Sequence, residues 1–217
     1  SDQMYRWSMF WFIFSEIWFF AVFFGILWYA RMVSVPTLAG DYHGGKLTHY
    51  LLWPSFESAW PLLQTPDPSR YIGPVSTMYA WGLPLVNTVI LLTSGMTITV
   101  AHWALLQGRK YMALIWQLLT ALLGVLFLYC QFVEYVEAYQ HHGLTIDSGI
   151  YGSIFYFLTG FHGLHVALGT LMLLGVALRI ALSRFTEDTH VVFDVVSWYW
   201  HFVDVVWLML FVFVYWL

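Results

Sequence analysis

The sequence predicts an all-α integral membrane protein with five transmembrane helices. Three observations carry that prediction. Of 217 residues, 60% are apolar and only 9% are Asp, Glu, Lys or Arg. A soluble domain carries about 25% charge, so this chain lacks the polar side chains to cover a surface facing water. The apolar residues also fall in runs long enough to cross a bilayer, about 20 residues each. Those runs are continuous, whereas the strands of a membrane barrel alternate with period two, and a continuous run pairs its backbone groups internally only as a helix.

In chain order, the first expected span covers residues 7–28, aromatic on every side and interrupted only by Glu16. Residues 32–83 change character. This stretch holds six of the seven prolines together with Asp41, His43, Lys46, His49, Glu57, Asp67 and Arg70, and reads as an extramembrane loop. Three spans follow at about 84–106, 111–133 and 151–178, all free of Asp, Glu, Lys and Arg, and a fifth at 195–217 contains only Asp204. The whole chain, 1–217, is expected to form one membrane domain.

Five crossings alternate sides, and the cations then sort themselves. Arg6, Arg109, Lys110, Arg179 and Arg184 share the side of the amino terminus, while Arg31, Lys46 and Arg70 lie opposite. The positive-inside rule therefore puts the amino terminus in the cytoplasm or matrix, with the 32–83 loop and the carboxyl terminus on the outer side, which is the periplasm for a bacterial membrane. Eight cations and a net charge of -4 exclude a nucleic-acid binder with a basic footprint, and the single cysteine, Cys130, excludes a disulfide framework or a cysteine-rich metal site.

An ionisable side chain at mid-membrane costs about 2.5–3.5 kcal/mol on insertion scales, so each one needs a reason. The candidates are Glu16, His102, Glu134, His162, His165, His201 and Asp204. Glu134/Glu137, His162/His165 and His201/Asp204 repeat an i,i+3 spacing that puts each pair on one helical face, a spacing also used by metal sites in bundles. Depth argues against pooling them. At 1.5 Å per residue, His102 lies about 6 Å from the cytoplasmic end of its run, Glu16 and Asp204 about 14 Å, His165 about 20 Å and Glu134 about 35 Å. Metal ligands must converge at about 2.0–2.2 Å on one ion. The favoured reading is a buried polar network without catalytic residues and without a metal. The alternatives are a membrane metal or haem protein using Glu16, Asp204 and His residues, or a transporter. Gly160, Gly163 and Gly169 read as positions of close helix packing.

Four motifs carry a resemblance. They are Phe14-Ser15-Glu16-Ile17-Trp18-Phe19-Phe20, Leu85-Val86-Asn87-Thr88, Gly160-Phe161-His162-Gly163-Leu164-His165-Val166, and the run Trp198-Tyr199-Trp200-His201-Phe202-Val203-Asp204-Val205-Val206-Trp207. In order and spacing they resemble subunit III of the haem-copper cytochrome c oxidases, over the last five of that family's usual seven helices. The resemblance implies an accessory subunit of a proton-pumping aerobic terminal oxidase, in a bacterial inner membrane rather than the mitochondrial one. It implies no haem or copper on this chain, both being carried by partner subunits of the oxidase, with the catalytic subunit I and subunit II as neighbours. It further implies bound structural phospholipid, with Arg179 and Arg184 as contacts to lipid head groups, and a part in sustaining proton uptake and turnover.

Overall fold

The computed structural model describes residues 2–182 and 187–217, with the side chains of 187–189 outside the description. Regular structure among the described residues is helical throughout. The helices are α1 (Asp2–Tyr29), α2 (Val35–Leu38), α3 (Lys46–Leu52), α4 (Leu83–Leu106), α5 (Lys110–His141), α6 (Ile150–Ala181) and α7 (Glu187–Leu210). Among the described residues, five helical stretches are long and apolar enough to cross a membrane, beginning with a continuous Asp2–Leu38 that joins α1 to α2.

Helix ends follow local chemistry. Pro84 sits in the first turn of α4, where a missing N–H removes no helical bond. Gly108 takes φ 72°, a left-handed conformation that costs glycine little, and so reverses the chain between α4 and α5 within three residues. At the end of the first span the path differs from an expected stop near residue 28. The chain widens into a π-helical turn over Ala30–Ser34 and continues through Pro36. Proline has no N–H to give to the carbonyl four residues back. That carbonyl belongs to Met32, and the Tyr42 hydroxyl donates to it instead at 3.1 Å. The third span likewise outruns its apolar core, and α5 carries Glu134 and Glu137 inside its last two turns.

The residues group into two compact units. The first comprises 1–17, 79–133 and 161–217. Its core is aromatic: Tyr199, Trp200 and Trp207 of α7 are completely enclosed, with Phe127 and Phe193. Each buried indole N–H finds an acceptor on α4, Trp200 on Ser94 Oγ at 2.9 Å and Trp207 on Thr88 Oγ1 at 3.0 Å. Thr97 and Thr120 share a hydroxyl bond of 2.7 Å between α4 and α5, and Gln117 Nε2 donates to the Leu173 carbonyl at 3.1 Å. Glycine lets α5 and α6 close on the Trp200 ring, since a Cβ at Gly124 or Gly169 would lie 2.8 or 2.9 Å from it. Gly169 thus sits where close packing was expected, whereas Gly163 faces open space and Gly124 had not been singled out.

The second unit comprises 18–78 and 134–160. Here the long polar stretch is ordered: the Leu38 carbonyl accepts from His49 Nδ1 at 3.2 Å and from Trp53 Nε1 at 3.0 Å. Val75 N–H donates to the His142 carbonyl at 2.9 Å, and Ser76 Oγ meets His142 Nδ1 at 2.6 Å, which pins the stretch to the end of α5. In the connection to α6, the Thr145 hydroxyl bonds Asp147 at 2.6 Å and holds its carboxyl below the usual range.

Candidate functional site

The ionisable groups singled out in the spans of the first unit fall, among the described residues, into four local arrangements. Near the start of the chain, Asp194 of α7 takes two partners at once. Arg6 Nη2 of α1 donates to Oδ2 at 2.6 Å, and His102 Nε2 of α4 lies 2.9 Å from Oδ1. Arg6 also lies over the Trp198 ring, one turn along α7 from Asp194, at 5.7 Å from the centroid. His102 stacks on Phe193 at 5.2 Å. One carboxylate thereby ties three helices together.

Further along α1, Glu16 Oε2 meets His165 Nε2 of α6 at 2.5 Å. The other ring nitrogen, Nδ1, donates to the Phe161 carbonyl at 2.6 Å, so it carries a proton. The remaining contact is then closed by a single shared proton, held as carboxylic acid and imidazole or as carboxylate and imidazolium. Either way the pair has no net charge, the condition under which two ionisable groups are tolerated in a membrane. The Tyr199 hydroxyl donates to the His165 carbonyl at 3.4 Å, and Phe12 stacks on the Tyr199 ring at 5.9 Å.

His162 is enclosed. Its Nε2 donates to the Val203 carbonyl of α7 at 3.0 Å, and its ring is held by Phe127 and Trp207 at centroid distances of 5.5 and 5.3 Å. The His162/His165 spacing therefore serves two different neighbours rather than one ligand. The fourth arrangement pairs His201 with Asp204. Nδ1 lies 3.9 Å from Oδ2, beyond a hydrogen bond. Asp204 is 7% exposed and packs against Gly95 of α4, where a Cβ would come within 2.7 Å of Oδ2.

The second unit contains Glu134, which is fully buried, while Glu137 three residues on is exposed. The Tyr135 hydroxyl in the same turn bonds Thr159 Oγ1 at 2.6 Å. Arg179 is exposed in the last turn of α6, and Arg184 lies outside the described residues.

Glu16, Asp204 and a histidine do not converge on one point, as the metal reading required. Glu16 is taken by His165, whose Nδ1 is also engaged, and among the described residues the ionisable group nearest Asp204 is His201 at 3.9 Å. Among the described residues, no three His, Cys, Asp or Glu side chains are placed to hold a metal ion. Asp194 and Arg6 were not among the expected network residues, nor was Ser94, the acceptor of the Trp200 indole. His102, about one turn from the end of α4, lies level with Asp194, about two turns into α7.

Comparison with known proteins adds a second line. A sequence profile described as cytochrome c oxidase subunit III matches residues 2–217. Cytochrome c oxidase subunit 3 of Danio rerio is 40% identical over 211 residues, covering 97% of this chain and 69% of that protein. The protein of the same name from Polypterus ornatipinnis is 40% identical over 212 residues, with the same coverage of both chains. That from Prototheca wickerhamii is 39% identical over 210 residues, covering 97% of this chain and 68% of its own length.

Proposed function

Since the chain belongs to the cytochrome c oxidase subunit III family, we propose that it serves as a non-redox accessory subunit of a proton-pumping terminal oxidase. In this reading it sits beside the catalytic subunit, with subunit II in the same complex, and oxygen is reduced on haem and copper held by those neighbours. The membrane is a bacterial inner membrane, the amino terminus is cytoplasmic, and the carboxyl terminus and the 32–83 stretch are periplasmic. The chain stabilises its catalytic neighbour, holds structural phospholipid through Arg179 and Arg184, and supports proton uptake during turnover.

The observation that carries the proposal is the family match along residues 2–217. The polar contacts support the non-redox part. His102 and His165 meet carboxylates, His165 Nδ1 and His162 Nε2 meet backbone carbonyls, and His162, the most deeply enclosed, is packed between two aromatic rings; His201 is the exception, half exposed and 3.9 Å from Asp204. An axial haem ligand needs an accessible ring nitrogen and room for a macrocycle beside it.

The test is spectroscopic. The complex purified in mild detergent through a tag on this chain is expected to show haem absorption and copper, and the chain dissociated from its partners in a non-denaturing detergent is expected to show neither. Stoichiometric haem remaining on the isolated chain, or a tagged chain that brings down no haem protein, overturns the proposal.

A further inference from the structure

Between α4 and α7, within the first unit, runs an open groove of about 550 Å³. Its floor combines two features. On α4, Gly95 and Thr99 stand one turn apart, a small-xxx-small pair of the kind that lets a second membrane helix approach closely. On α7, Asp204 turns a buried carboxyl into the same groove, and its Oδ1 has no hydrogen-bond partner among the described residues. His201 stands beside it with 45% of its side chain exposed. At 1.5 Å per residue both residues lie about 16–21 Å from His190, where the span begins, so they are near the middle of the membrane.

That combination does not suit a lipid-facing surface. A hydrocarbon chain offers no donor to a carboxyl oxygen and no partner to an imidazole, and an unsatisfied buried polar group costs about 1–3 kcal/mol. Lipid head groups do not reach mid-membrane. Ionisable residues at this depth face other helices or a polar cavity. The rest of the groove is apolar, with Met96 and Leu208 exposed along its walls, and so matches the side of a helix.

We propose that this groove seats a membrane-spanning helix of a neighbouring oxidase subunit, and that this helix presents a hydrogen-bond donor side chain to Asp204. The proposal rests on the accessory-subunit reading and adds to it where a partner docks and what it must carry. Gly95 is required because any side chain there would fill the space between the carboxyl and the incoming helix. His201 covers the carboxyl from the other side and is itself shielded once the helix is seated.

The experiment uses the intact complex in its native membrane. A photoreactive phenylalanine analogue replaces Met96 in the groove or, as a control, Leu122 on an exposed face of α5. After irradiation the complex is purified through this chain and adducts are mapped by mass spectrometry. The expected result is a Met96-specific adduct on a membrane helix of another oxidase subunit, within a turn of a Ser, Thr, Asn, Gln, Trp, Lys or Arg. Asp204→Leu is expected to lower retention of that subunit in detergent about tenfold, the effect of losing ~1.4 kcal/mol, with Asp204→Asn between it and the wild type. Adducts to phospholipid only, to a second copy of this chain, or to a helix without a donor overturn the inference. Because the cross-linking variant keeps Asp204, it remains decisive even where Asp204→Leu fails to fold. A chain that co-purifies with haem and copper yet gives only lipid adducts sinks the docking site alone, whereas loss of co-purification sinks the accessory-subunit reading itself.

Discussion

At mid-membrane an ionisable side chain survives only in company, and Glu16 is the plainest case. It meets a buried imidazole whose second nitrogen is already committed to a carbonyl. Replacing Glu16 with Ala withdraws that carboxyl from His165 and is expected to destabilise the subunit by about 1–3 kcal/mol. Glu16→Gln keeps a polar partner of the same length and is expected to lose less. Thermal unfolding of the detergent-solubilised complex, followed through retention of this chain, checks the order; equal melting for Ala and wild type would show that the pair contributes nothing. The presence of a buried acid was readable from sequence alone, because a single Glu in an apolar run is conspicuous. Its partner was readable only as one of several candidates, since depth counted along separate helices let Glu16 share a level with Asp204 and with His165 or His201, and could not choose among them. Asp194 was not legible for a different reason: it stands one residue before the apolar run 195–217, where an acid looks like an ordinary loop residue.

Among the elements, α6 and α7 show how packing depends on what a side chain would hit. Gly169→Ala would press a methyl against the Trp200 ring, which is enclosed and whose indole N–H is tied to Ser94. Overpacking of this kind costs about 1–3 kcal/mol. Gly163→Ala, on the same helix but facing open space, is expected to be neutral or slightly stabilising, since Ala is the better helix former. The measurement is again thermal retention of the subunit, and a Gly163→Ala variant as damaged as Gly169→Ala would refute the account. Both glycines look alike in sequence, which shows a residue's neighbours along the chain and nothing of the ring across from it. The helices themselves were legible because the apolar runs are long. Their ends were less so: Arg31 and Pro36 look like terminators, yet a π-helical turn carries α1 past them to Leu38. In α5, Glu134 and Glu137 do not end the helix, since one is buried inside the protein and the other is exposed.

For the whole molecule, the distribution of eight cations carries the proposed orientation. A cysteine placed at Lys46 is expected to react with a membrane-impermeant maleimide in intact cells stripped of their outer barrier, and one at Lys110 only after lysis. The native Cys130 is partly buried within α5 and supplies the background to subtract. Labelling of Lys110→Cys in intact cells would reverse the topology.

The contact between Arg6 and Asp194 joins positions 188 residues apart. Ribosomes deliver a membrane chain in order, so the first span enters the bilayer long before its acidic partner has been made. Until α7 arrives, Arg6 and His102 both lack the carboxylate that tethers them, and the first span is held at that end by no ion pair described in the finished protein. Closing this clasp is therefore a late event in biogenesis. A chain that stops short of Asp194 lacks the one carboxylate through which Arg6 of α1 and His102 of α4 are both joined to α7.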